Sequence, residues 1–113
     1  MTTQEFLKRR LYKAKRIIEE NCHKQIKNED IAREIGMSTY HFIRCFKQEF
    51  DLSPYQYVLH MRLVKASELL KKTALKATEI SDISGFPDAQ AFCKIFKKNF
   101  GSTPLDYRRA IPA

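Results

Sequence analysis

The chain has 113 residues, room for one small domain or two very small ones with a modest core. Its 21 Lys plus Arg against 13 Asp plus Glu give +8 and a pI near 9.5, a balance that favours a polyanionic partner, nucleic acid or an anionic membrane face. Cys22, Cys45 and Cys93 are odd in number and lack C-x-x-C spacing, so neither a disulfide framework nor a zinc ribbon is indicated. No stretch is apolar enough for a signal peptide or membrane span, so a reducing, cytoplasmic setting is expected.

Thr2 with Glu5 three residues on forms a capping-box pattern. Apolar residues at Leu7, Leu11, Ala14 and Ile18 then mark a first helix ending near Asn21. Its cations, Lys8, Arg9, Arg10, Lys13, Lys15 and Arg16, spread over several sides of the wheel and read first as a solvated face. Asn28 is expected to cap a second helix, with Glu29 and Asp30 in its first turn and Ile31, Ala32 and Ile35 as its buried stripe. Gly36 supplies a left-handed stop and Ser38 restarts the chain as an N-cap. A short glycine turn between two helices is the helix-turn-helix signature.

The third helix is expected from Thr39 to about Glu49. Phe42, Cys45 and Phe46 share its inner face, closed by Phe50, while Tyr40, Arg44 and Lys47 point outward and Ile43 borders them. Ser53 and Pro54 start a fourth helix running to about Lys72, which at about 1.5 Å per residue spans nearly 30 Å and carries more than one apolar face. It reads as a strut. A fifth helix from about Ala77 to Ser84, a turn at Gly85, a sixth from Ala89 to Asn99 capped by Asp88, and a short seventh from Pro104 complete the chain. No segment alternates as a strand would, so the fold class is all-α.

The stretch from Ile80 to Tyr107 repeats the one from Ile31 to Tyr57. Ile31 and Gly36 match Ile80 and Gly85 at a spacing of 49, whereas Phe42, Phe46, Phe50, Pro54 and Tyr57 match Phe92, Phe96, Phe100, Pro104 and Tyr107 at 50. The second turn therefore holds one more residue, assigned to Pro87. The phenylalanines at helical spacing are expected in the core, opposite the basic residues. The organisation is a first unit over residues 1–53, a linker helix over 54–72 and a second unit over 73–113.

In a helix-turn-helix the second helix enters the major groove and its outward side chains read base edges. Arg44 suits guanine, Tyr40 and Ile43 suit sugar or a thymine methyl, and Lys47 suits phosphate. In the sixth helix the matching set is Gln90, Cys93, Lys94 and Lys97, with Ala89 and Lys98 beside it. Gln90 suits adenine, Lys94 guanine or phosphate, and Lys97 and Lys98 position the protein on the backbone. Arg44 and Tyr40 make the earlier reading face the more discriminating one. Two such units joined by a stiff helix would occupy successive major grooves about 34 Å apart, reading a long, non-palindromic site.

These residues resemble the DNA-binding domain of the AraC/XylS family of bacterial transcription regulators. The likeness rests on Gly85-Phe86, Asp88, Phe92, Phe96-Lys97-Lys98, Phe100-Gly101, Thr103-Pro104 and Tyr107-Arg108. The first unit adds Ile31-Ala32, Gly36-Met37-Ser38, Phe42, Phe46-Lys47 and Tyr57, and the linker helix adds Arg62, Ala66, Leu69 and Leu70. The resemblance implies seven helices, two helix-turn-helix units, binding to double-stranded promoter DNA, and usually activation through contact with RNA polymerase. It also implies that a sensor or receiver domain can stand on a longer parent chain. The chain departs from the family's pattern at Asp51-Leu52, where the first unit often has glycine, at Ala77, where a larger aliphatic is common, and at Ser81, in place of the usual alanine. They bear on turn and core details of the units more than on their role.

Other readings explain less. His41 and Cys45 at i, i+4, with Cys22-His23, offer potential zinc ligands, but no second paired motif completes a tetrahedral set, and no metal or cofactor is expected. No phosphate loop, paired inward carboxylates or activated nucleophile supports an enzyme. The alternative is a basic helical protein-interaction module, which accounts for charge and repeat but not for cation-rich faces on both second helices after matched turns.

Overall fold

A computed structural model describes residues 2–112. Among them the fold is all-α, with seven helices: α1 (Thr3–Asn21), α2 (Asn28–Glu34), α3 (Thr39–Phe50), α4 (Pro54–Lys72), α5 (Ala77–Ser84), α6 (Ala89–Phe100) and α7 (Pro104–Arg109). Local chemistry sets most of the starts. Thr2 and Glu5 close a reciprocal capping box, Oγ1 accepting from the Glu5 amide at 3.2 Å and the Glu5 carboxylate accepting from the Thr2 amide at 3.3 Å. Ser53 and Gln56 do the same ahead of Pro54, at 3.1 and 2.9 Å. Ser38, Asp88 and Thr103 each accept from the amide three residues on.

Three sequence expectations are corrected. Asn28 is the first residue of α2 and not its cap; the extended Lys27 holds that position, and its carbonyl accepts the Asp30 and Ile31 amides. A lysine offers no side-chain oxygen, so Glu29 and Asp30 are what complement this terminus. α3 and α6 each run one residue further than expected, to Phe50 and Phe100, because the following residue takes a left-handed conformation and donates its amide back to the Lys47 or Lys97 carbonyl. Phe100 is also no core residue: at the end of its helix it is 39% exposed and stacks at 4.3 Å on the buried Phe96.

The chain divides into two compact units, residues 1–61 and 62–113, and the division falls inside α4. In the first unit, α1 packs on α2 and α3, and α2 on α3. Leu11, Ala14 and Ile18 of α1 meet Ile31 and Ala32 of α2, Phe42, Cys45 and Phe46 of α3, and Tyr57 and Val58 from the start of α4. Burying each of the larger side chains contributes about 1.5–3 kcal/mol. At the rim, Lys15 Nζ lies 5.2 Å from the Phe50 ring and 5.7 Å from the Tyr57 ring. The Tyr57 hydroxyl donates to the Glu19 carboxylate, and burial, then that carboxylate, push the phenol above its ordinary pKa.

In the second unit α5 packs on α6 and α6 on α7. Its core is Leu63, Ala66 and Leu70 of α4 with Ile80, Phe86, Phe92 and Phe96. Leu63, Ala66 and Leu70 stand 52 positions after Leu11, Ala14 and Ile18, all six buried. The repeat therefore begins a helix earlier than the matched glycine turns: α4 is to the second unit what α1 is to the first. Arg108 closes this unit. Its guanidinium donates to the carbonyls of Leu70 at 3.0 Å, Thr73 at 3.1 Å and Leu75 at 2.7 Å, joining α7 to the end of α4 and the loop before α5.

Candidate nucleic-acid interface

Both turns are built alike. Gly36 and Gly85 adopt left-handed φ of 73° and 94°. The Met37 amide then donates to the Ala32 carbonyl at 2.9 Å, and the Phe86 amide to the Ser81 carbonyl at 3.0 Å, which satisfies the helix end in both units. The extra residue of the second turn lies between Phe86 and the Asp88 cap, at the exposed Pro87. Because each turn is pinned at both ends, its second helix is held at a fixed roll. Phe42 and Phe46 anchor α3 beneath it, as Phe92 and Phe96 anchor α6.

The opposite faces are open. On α3, Tyr40, Arg44 and Lys47 are exposed, Tyr40 to 76%, and Ile43 is half-buried. On α6, Gln90, Lys94, Lys97 and Lys98 are exposed, while Ala89 and Cys93 are half-buried. Each set shares one side of its helix, as the wheel requires. Among the described residues Arg44, Lys47, Lys94, Lys97 and Lys98 form no ion pair, whereas Lys8 pairs with Glu49, Arg33 with Asp30 and Lys72 with Glu68. Uncompensated cations in such rows attract phosphates and release counterions when neutralised. Gln48, passed over in the sequence reading, is exposed one turn beyond Arg44 and lengthens the α3 face; its i+4 relation to Arg44 was the available signal.

A family described as "Helix-turn-helix domain" matches residues 31–110, from the start of the α2 stripe through α7. The Msm operon regulatory protein of Streptococcus mutans serotype c is 33% identical over 97 residues, covering 86% of this chain and 35% of the relative. A transcriptional regulator from Chromobacterium violaceum, described among AraC-type DNA-binding domain-containing proteins, superposes with a TM-score of 0.85 at 30% identity, covering 94% of this chain and 96% of that one. This chain belongs to the AraC-type helix-turn-helix family. The DNA-binding domain of AdpA, a global transcriptional factor solved in complex with a target DNA, is a further likeness. It has a TM-score of 0.83 at 28% identity and covers 88% of this chain and 90% of that one. These likenesses are to regulators: an operon regulatory protein, a transcriptional regulator and a global transcriptional factor. The chain spans about a third of the length of the curated relatives it matches.

Among the described residues no group of three or more His, Cys, Asp or Glu side chains is gathered to hold a metal ion. Cys45 is buried, whereas His41 is exposed on the flank of α3, so the i, i+4 pair does not converge. No helix of the described residues is long and apolar enough to cross a membrane.

Proposed function

We propose that this chain is the DNA-binding domain of a bacterial transcription regulator, inserting α3 and α6 into successive major grooves of promoter DNA in the cytoplasm. The observation that carries the reading is the pair of matched turns, each followed by a helix with a buried phenylalanine face and an open face of unpaired cations. Arg44 reads guanine with its forked donors, Tyr40 and Ile43 pack on sugar or thymine methyl, and Gln90 reads adenine. Lys94 meets guanine or phosphate; Lys47, Lys97 and Lys98 hold the backbone; Ala89 and Cys93 give the close approach that small side chains permit. RNA polymerase is the partner this reading adds, with a sensor or receiver domain on a longer parent chain.

Titration with a library of duplex fragments tests it. Affinity is expected to fall steeply with salt, and selection from random duplexes to return one long, non-palindromic motif. Arg44→Ala is expected to cost about 1–3 kcal/mol and relax preference at one position, whereas Lys97→Ala weakens all sequences alike. Absence of duplex binding at low salt overturns the reading in favour of a basic protein-interaction module.

A further inference from the structure

The open faces of α3 and α6 do not use the basic helix α1. Thr3, Phe6, Leu7 and Arg10 of its first two turns form, with His41 of α3, a groove of about 430 Å³. Its wall is mainly apolar, and Phe6 is 53% exposed beside it. Val58, 52 positions after Phe6 in the register that aligns the buried stripes of α4 and α1, is seated in the core of the first unit, whereas Phe6 is open.

Charge defines what fits. α1 carries six cations against Glu5, Glu19 and Glu20, and of these acids Glu5 is held in the cap and Glu19 by Tyr57. Arg9, Arg10, Lys13 and Arg16 are exposed and, among the described residues, have no acidic partner, whereas Lys8 pairs with Glu49. The geometry points to a docking groove for an acidic amphipathic helix of a partner protein, one apolar side chain seated between Phe6 and Leu7 and flanking carboxylates on Arg10 and Lys13. A phosphate backbone satisfies the arginine and leaves the phenyl ring wet, whereas an acidic helix answers both.

The test is selection on the intact chain from a display library of helix-favouring peptides about four turns long, with a fixed leucine seam at i, i+3, i+4 and i+7 and randomised flanks. Enrichment of Asp and Glu on the flanks is expected, with binders shifting the amide resonances of Phe6, Leu7 and His41. Phe6→Ser and Arg10→Glu are each expected to weaken those binders at least tenfold. Phe6 is half exposed, so Phe6→Ser keeps the helical circular dichroism and the duplex-DNA affinity of the parent, which separates this test from that of the DNA reading. Selection without acidic enrichment, or binders indifferent to Phe6→Ser, overturns the proposal. So does a result in which Arg10→Glu weakens duplex DNA alone, which would give the groove to the nucleic acid.

Discussion

The two units use one plan with different reserves. The first fills its α2 stripe with Ala32 and Ile35, where the second has Ser81 and Ser84, hydroxyls buried without a hydrogen-bond partner. Conversely, the first ends its reading helix on Asp51 at φ 63°, a strain that Gly101 at φ 80° avoids in the second. Phe50 is braced by Tyr12 and Lys15, whereas Phe100 lies at the edge. A repeated framework thus fixes the phenylalanine seam and the turns, and leaves local stability free to differ. The first unit is the better packed, and the second depends more on polar closure by Arg108.

The sharpest way to break this comparison is to hollow each seam in turn. Phe96→Ala is expected to cost about 3–5 kcal/mol, with amide protection lost first in α5–α7 while α1–α3 stay protected. Phe46→Ala should cost as much but expose the first unit; if either change opens both units together, they are not separable. Next, Arg108→Ala is expected to remove about 2 kcal/mol, because three carbonyls lose a charged donor, and Arg108→Lys to restore less than half in denaturant melts. Asp88→Ala and Ser38→Ala should each cost about 1 kcal/mol, and equal losses would place capping among the features the copies share. Smallest are two gains: Ser81→Ala, about 1 kcal/mol in thermal melts from removing an unpaired hydroxyl, and Asp51→Gly, somewhat less as strain relief is offset by added freedom in the unfolded chain.

Most of the framework was legible because it rests on short-range chemistry. Caps at Thr2, Ser38, Asp88 and Thr103, the left-handed glycines and the phenylalanine spacing announce themselves within a few residues. The outward position of Arg44, Lys47, Gln90 and Lys94 followed from the wheel alone. Of what was missed, the kinship of α1 and α4 was present in the sequence: Arg10-Leu11-Tyr12-Lys13-Ala14 recurs 52 positions on as Arg62-Leu63-Val64-Lys65-Ala66, a spacing that the glycine turns, aligned at 49, and the phenylalanines, aligned at 50, do not share. The rest depends on contacts between distant positions. Arg108, which reads as an ordinary basic residue near a helix end, closes a loop more than thirty positions upstream. The Asn28 cap failed for a subtler reason: Asn, Glu and Asp in succession all suit a first turn, and composition does not say which one begins it.

The place of the division inside α4 bears on how the protein is made. A nascent chain has what its first unit needs once Met61 has left the ribosome, whereas the second stays open until Arg108 emerges to take the carbonyls of Leu70, Thr73 and Leu75. During that interval α4 has one half seated and the other half waiting. The order of synthesis therefore gives the earlier reading helix its scaffold first, and the later one is completed against a helix already begun.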